Sequence, residues 1–287
     1  CEKFNAKFSY IEQDFPRGIA HAVSLCENFV NGEKFVVFLG DNLIQKDIKK
    51  YLSTFQKSLT DASLLLCKVD NPSQFGVADV ENNKIIKIVE KPKNPTSNLA
   101  VTGIYFLTPI IFDVIKNLKP SWRNELEIAD ALQILIEQKK HVSYDLITDF
   151  WKDTGTPKDI LEANRIILEN MIPSFKGKKE KNVVLEGNII VDEGTLIKEG
   201  AKILGPVIIG KNCIIESDTV IGENTSVGDN SHLKGCIISN SIIMPNCSID
   251  GKMNIKNSIV GSNSKILQKS NDGDKIFLLG EGTQITV

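Results

Sequence analysis

The sequence predicts two architectures in one chain: an open, mostly parallel, doubly wound α/β sheet over residues 1–172, and a left-handed parallel β-helix over residues 183–287. Three observations predict this. Short apolar runs alternate with segments of helical period through the first part. Residues 173–182 are polar, lysine-rich and without period, and are expected to form a linker. Beyond them an aliphatic residue recurs every six positions.

The elements follow in order. Ile19, Ala22, Val23 and Cys26 fall at helical spacing within residues 18–29. Phe35-Val36-Val37-Phe38-Leu39 is continuously apolar, the pattern of a strand buried on both faces, and Gly40-Asp41-Asn42 ends it. Leu64-Leu65-Leu66-Cys67-Lys68-Val69 and Ile85-Ile86-Lys87-Ile88-Val89 read as further strands. Thr108-Pro109 marks a helix start with its cap and first-turn proline, and Ile111, Val114, Ile115 and Leu118 form the inner face. A second amphipathic helix spans residues 125–138, and a third begins at Thr156-Pro157 and runs through Leu161 and Ile167.

In the last part Val191, Ile197, Ile203, Ile209, Ile215, Ile221, Val227 and Leu233 are each six apart. The series continues, after a shift of four, at Ile237, Ile243, Ile249 and Ile255, then at Val260 and Ile266. A hexad repeat puts three short strands in a triangular coil whose aliphatic residues point inward, and stacked coils bury a continuous core. Phe277-Leu278-Leu279-Gly280 fits a last strand closing the helix.

Composition narrows the function. A formal net charge of -2 gives no basic face for nucleic acid. No apolar run reaches the roughly 20 residues that span a bilayer, and no secretory leader pattern is present, so a cytoplasmic protein is expected. The six cysteines are scattered without CxxC or Cys/His spacing, which fits buried thiols and neither a disulfide framework nor a zinc site.

Several short segments carry candidate chemistry. Asp41 sits at the carboxyl end of a predicted strand, where open sheets place ligands; it fits a Mg²⁺ ligand or a carboxylate capping a turn. Asp153, in Trp151-Lys152-Asp153-Thr154-Gly155-Thr156, fits a second ligand or a helix cap. Lys91, following Glu90 at a strand end, fits a point charge for phosphate or a solvated surface lysine. The glycines of Phe75-Gly76-Val77-Ala78 and Thr102-Gly103-Ile104-Tyr105-Phe106 allow a ligand to approach backbone, or simply make turns. His232 falls within the hexads, where an acyltransferase base or a surface corner residue would both fit.

The order of these segments is more specific than any one of them. Gln13-Asp14-Phe15-Pro16-Arg17-Gly18-Ile19-Ala20-His21-Ala22, Leu39-Gly40-Asp41-Asn42, Phe75-Gly76-Val77-Ala78 and Val89-Glu90-Lys91-Pro92 resemble the sugar-1-phosphate nucleotidyltransferase family in sequence and spacing. Thr102-Gly103-Ile104-Tyr105-Phe106, Trp122-Arg123-Asn124-Glu125-Leu126-Glu127-Ile128 and the Trp151–Thr156 stretch extend the resemblance across residues 8–168, closest to the glucose-1-phosphate thymidylyltransferases.

The resemblance implies a Rossmann-like nucleotidyltransferase domain that uses Mg²⁺ to join a nucleoside triphosphate, dTTP or UTP, to a sugar 1-phosphate. Gln13 and Gly18 would meet the base, and Asp41 and Asp153 would be the paired metal ligands. Gly76 and Glu90 would hold sugar hydroxyls, Lys91 and Arg123 the sugar phosphate, and Tyr105 and Trp151 would line the sugar pocket. Asp41, Lys91 and Asp153 would be the catalytic group. The resemblance also implies a homo-oligomer, while charge and hydropathy leave neither nucleic acid nor membrane as an expected partner. By the family pattern roughly 70 residues, with the glycine-rich triphosphate loop and the first strand of the sheet, are expected before Cys1. Asn124 stands where the family usually has glycine. Two other readings remain: a bifunctional protein whose β-helix transfers acetyl groups, and a non-catalytic scaffold subunit.

Overall fold

The computed structural model describes residues 6–268 and 274–286, which form two compact units, Cys1–Asp153 and Thr154–Val287. In the first, helices α1 (Ile19–Ser24) and α2 (Glu27–Val30) precede strands β1 (Phe35–Phe38) and β2 (Asn42–Ile44). Then come α3 (Lys49–Lys57), β3 (Ala62–Lys68), β4 (Gly76–Glu81), β5 (Lys84–Glu90) and β6 (Leu99–Leu107). Helices α4 (Ile110–Ile115) and α5 (Ile128–Glu137), then β7 (Val142–Ile147) and β8 (Trp151–Asp153), complete the unit.

β3 and β6 are central strands with both faces covered, whereas β1, expected to be buried on both faces, pairs only with β6 among the described residues and leaves Phe38 44% exposed. Leu64, Leu66, Val101 and Tyr105 of β3 and β6 pack with residues of α1, α4 and α5 on one face. Leu65, Cys67, Ile104 and Phe106 pack with Phe55 of α3 and with Trp151 on the other. Wrapping a sheet on both faces is what requires apolar residues at successive positions.

The sheet is mixed rather than mostly parallel. Its order is β5-β4-β6-β3-β7, with β1 also on β6; only β3 and β7 run parallel, and every other pairing in it is antiparallel. Asn82 and Asn83, at φ 48° and 60°, make the two-residue turn between β4 and β5. Such a turn can only return the chain antiparallel, and asparagine tolerates the left-handed backbone it needs. The first expected helix is broken into α1 and α2 at Leu25 and Cys26. Thr108 does not cap α4: its hydroxyl donates to the Asp61 carbonyl at 2.8 Å.

The second unit opens with α6 (Pro157–Glu169), whose cap Thr156 accepts the Asp159 N–H at 3.3 Å. Three all-parallel sheets of seven, six and seven short strands follow among the described residues, one per face of the coil. The segment expected as a linker already belongs to this stack. Ser174–Phe175 pairs with Ile190–Val191, and Lys178–Lys179 with Leu196–Ile197. Its lysines are exposed on both sides of short strands, so no inward aliphatic betrayed the first coil. Leu278–Leu279 pairs with Ile259–Val260, so the tail adds a strand, but it is not the last: Gln284–Thr286 follows and pairs with Lys265–Leu267.

One position in the hexad series is corrected. Ile238 is wholly buried, whereas Ile237 is 43% exposed. Lys202 pairs with Val220, eighteen residues on, but Val220 pairs with Ile237, only seventeen on. One residue is lost at the corner through Gly235 and Cys236, so the inward partner of Ile221 is Ile238. A one-residue slip reverses which side chain faces the core.

Two residues before each inward aliphatic lies a second buried position, filled mostly by small residues such as Thr195, Ala201, Cys213, Thr219, Ser231, Cys236, Ser241 and Cys247, and by Ile189, Val207 and Met253 elsewhere. Their polar atoms serve neighbouring coils: Thr195 Oγ1 donates to Gly210 O at 2.6 Å and accepts Cys213 N–H at 2.9 Å. Three of the cysteines are therefore corner fillers. Burial pushes the Cys236 thiol up to about 12, which keeps it protonated. His232 lies on an outer face, its Nε2 2.9 Å from Glu216 Oε1, and Glu216 also pairs with Lys198 at 2.8 Å. None of the described helices is long and apolar enough to cross a membrane.

Candidate active site

A cavity of about 200 Å³ opens at the carboxyl end of β1 in the first unit. Asp41, Gly76, Glu90, Lys91, Tyr105, Trp151 and Asp153 all line it, together with Asn42 and Glu127. Apart from Glu127, which stands at the N-cap of α5, these residues come from five separate strands or strand ends. Three of the expected residues lie outside the lining. Gln13 Nε2 donates to His21 Nδ1 at 2.8 Å. Gly18 precedes the lining residue Ile19, and Arg123 stands behind Glu90.

The two aspartates converge through a small antiparallel ladder. β2 pairs with β8 so that Asn42 faces Asp153, Leu43 faces Lys152 and Ile44 faces Trp151. This places Asp153 across from the residue that follows Asp41. Hard carboxylate oxygens suit a Mg²⁺ ion. Among the described residues no group of three or more His, Cys, Asp or Glu forms a metal cluster. A pair of carboxylates fits an ion that completes its shell with water and substrate phosphate, the usual habit of Mg²⁺.

Glu90 and Glu127 form an acidic wall, with Arg123 between them. The guanidinium lies 3.6 Å from Glu90, 3.0 Å from Glu125 and 3.4 Å from Glu127. Glu127 is buried and also accepts the Ser121 hydroxyl at 2.8 Å. Burial pushes the Glu90 carboxyl above its ordinary range, the neighbouring Glu127 charge adds to this, and Lys91 and Arg123 oppose it. Tyr105 is pushed up by burial, and then by Glu90 and Asp41, so its hydroxyl stays protonated as a donor.

Backbone geometry shows how tightly the site is set. Lys91 takes φ 41° while its N–H donates to Phe75 O at 3.0 Å. A non-glycine residue held there is strained, and such strain collects at functional sites. Asn124 takes φ 61°, which explains why asparagine can stand in a position that favours glycine. Gly18, at φ 99°, leaves no room for a side chain: a Cβ would lie 2.5 Å from Leu126 O. Gly103 is equally confined, since a Cβ there would meet Asn42 Nδ2 at 2.5 Å. Gly76 has more space, with Glu90 Oε2 at 3.1 Å.

Sequence reasoning missed Asn42 and Glu127, although both stand in quoted motifs. The cue was burial, which a lone polar letter beside charged neighbours does not display. Asn42 and Glu127 are 7% and 4% exposed.

The "Nucleotidyl transferase" family profile matches residues 1–170, and the "GMPPB C-terminal domain" profile matches residues 203–286. The low-salt glycan biosynthesis nucleotidyltransferase Agl11 of Haloferax volcanii is 39% identical over 99% of this chain and 78% of its own length. The glucose-1-phosphate thymidylyltransferase of Streptomyces antibioticus is 40% identical over 64% of this chain and 52% of its own. The bifunctional protein GlmU of Methanococcus aeolicus is 41% identical over 96% of this chain and 62% of its own length. This chain thus spans between about half and four-fifths of these relatives. A solved structure of a putative glucose-1-phosphate thymidylyltransferase from Bacillus anthracis, in complex with a sucrose, matches with TM-score 0.55. It is 41% identical, over 61% of this chain and 70% of that one.

Proposed function

The chain belongs to the nucleotidyl transferase family, and from that premise we propose that it joins dTTP or UTP to a sugar 1-phosphate, glucose 1-phosphate first, releasing pyrophosphate. The observation that carries the reading is the single cavity that gathers Asp41, Gly76, Glu90, Lys91, Tyr105, Trp151 and Asp153.

In the proposed reaction an oxygen of the sugar phosphate attacks the α-phosphorus of the triphosphate, and the bond from that phosphorus to the pyrophosphate oxygen breaks. Two anions must meet, so positioning and charge screening carry the catalysis. Asp41 and Asp153 would hold Mg²⁺, which screens phosphate charge and orients the reacting groups. Lys91 presents a cation to the sugar phosphate. Arg123, outside the lining and paired with Glu90, Glu125 and Glu127, offsets the acidic wall beside that phosphate. Glu90 accepts sugar hydroxyls, Gly76 leaves backbone accessible beside it, and Tyr105 and Trp151 wall the sugar. Gln13 and Gly18, on the segment leading into α1, would meet the base. No covalent intermediate is required, so no nucleophilic side chain is called for.

The test is pyrophosphate release with glucose 1-phosphate, Mg²⁺ and dTTP or UTP, against ATP and CTP as controls. Release with neither pyrimidine triphosphate, from folded protein, would falsify the reading.

Glu90 gives this reading a pH signature. Its ionised form accepts the sugar hydroxyls, and its folded pKa is raised, so the acid limb of kcat/KM is expected above the ordinary glutamate value of 4.5. The same shift affects stability. The neutral carboxyl's contribution is full below the unfolded value and is lost as pH rises through the folded one. Glu90→Gln should remove both the acid limb and that slope of stability. An unchanged acid limb would assign it to another group.

A further inference from the structure

A single buried amide joins the two halves of the cavity. Asn42 Oδ1 accepts the Trp151 indole Nε1–H at 2.7 Å and the Gly103 backbone N–H at 3.0 Å. Its Nδ2 donates to Asp41 Oδ1 at 2.8 Å. The two donors on one atom fix which end of the amide is oxygen, because an NH₂ group there would face two N–H groups. Asn42 itself is buried, and Gly103 approaches it so closely that any Cβ would displace the amide. The ladder between β2 and β8 clamps it from the other side, pairing Asn42 with Asp153. The amide therefore cannot rotate without breaking three hydrogen bonds at once.

We infer that Asn42 is a positioning residue that sets the Asp41 carboxylate and the Trp151 indole in one fixed relation, so that the metal end and the sugar end of the cavity are held by the same side chain. This deepens the nucleotidyl-transfer reading and rests on it. Hydrogen bonds that orient a ligating carboxylate are worth roughly 10–100-fold in metal affinity. A donor to a carboxylate is also stronger than a neutral pair. Trp151 is held further by Phe75, whose ring lies edge-on at 5.5 Å. Loss of Asn42 should therefore loosen the indole without expelling it.

Two variants separate the arms. Asn42→Ala removes all three bonds. Asn42→Asp keeps the acceptor for Trp151 and Gly103 but replaces the donor to Asp41 with an oxygen. Trp122 is largely exposed, so a Trp122→Phe background leaves Trp151 as the sole indole reporter. In that background Asn42→Ala is expected to raise the Mg²⁺ concentration for half-maximal pyrophosphate release about tenfold or more, and to shift Trp151 emission to the red. Asn42→Asp is expected to keep the parent's emission while still changing the Mg²⁺ dependence. A purely structural role would lower thermal stability and active fraction while leaving half-saturation by Mg²⁺ unmoved.

Emission needs no activity, so it also judges the hub if the parent protein releases no pyrophosphate, the result that overturns the nucleotidyl-transfer reading instead. Half-saturation within twofold of the parent in both variants, or unmoved Trp151 emission in Asn42→Ala, overturns the assignment. If Asn42→Ala fails to fold, the Mg²⁺ dependence and emission of Asn42→Asp decide.

Discussion

Asp41→Asn and Asp153→Asn are each expected to lower pyrophosphate release by about 10²–10³-fold, with little change in thermal midpoint. Both carboxylates line the cavity, and the β2–β8 ladder sets Asp153 across from Asn42, the residue that follows Asp41. An amide is nearly isosteric with a carboxylate but carries no charge, so it cannot neutralise a divalent cation. The two residues serve one ion, so the double variant should be scarcely worse than either single one. The measurement is the steady-state rate across a Mg²⁺ titration, with thermal melts as the folding control. Full activity in either variant would remove that residue from the proposed metal site.

The second large effect lies in the β-helix and depends on one residue of register. Ile238→Ala should cost about 2–5 kcal/mol, as other large-to-small core changes do. Ile237→Ala should stay within about 0.5 kcal/mol. Ile238 is wholly buried in the coil stack, between Ile221 below and Ile255 above. Ile237 projects from the same short strand and is 43% exposed. The difference is read as the shift in urea midpoint followed by far-ultraviolet circular dichroism. Equal effects at the two positions, or a larger one at Ile237, would overturn the pairing of Val220 with Ile237.

The β-helix was legible because its physics is local and repeated. Each coil needs one inward aliphatic per face, so the spacing of Val191, Ile197 and Ile203 announces the architecture without any partner being known. Where a corner loses a residue, the local rule offers two adjacent isoleucines, and only the pairing of stacked coils chooses between them. The first coil was hidden for a related reason. Its strands are held by backbone bonds such as Lys176 N–H to Val191 O at 2.8 Å, and such bonds leave no mark on side-chain pattern.

In the first unit the apolar runs of β3 and β5 announced strands, and β3 is the one whose burial on both faces demands such a run. The direction of those strands was not legible, because it depends on how the connections return: the Asn82-Asn83 turn sends β5 back antiparallel, and β6 enters beside β3. The candidate site divides the same way. Asp41, Lys91 and Asp153 stood out as charged letters at strand ends, within segments whose order was specific. Asn42 and Glu127 acquire meaning only when residues far apart in the chain converge on them: Trp151 and Gly103 on Asn42, Ser121 and Arg123 on Glu127. The chain's own order determined which chemistries are present, because residue type and periodicity are local properties. The tertiary structure alone decided which side chains hold them in place, because burial and hydrogen-bond partnership arise between segments.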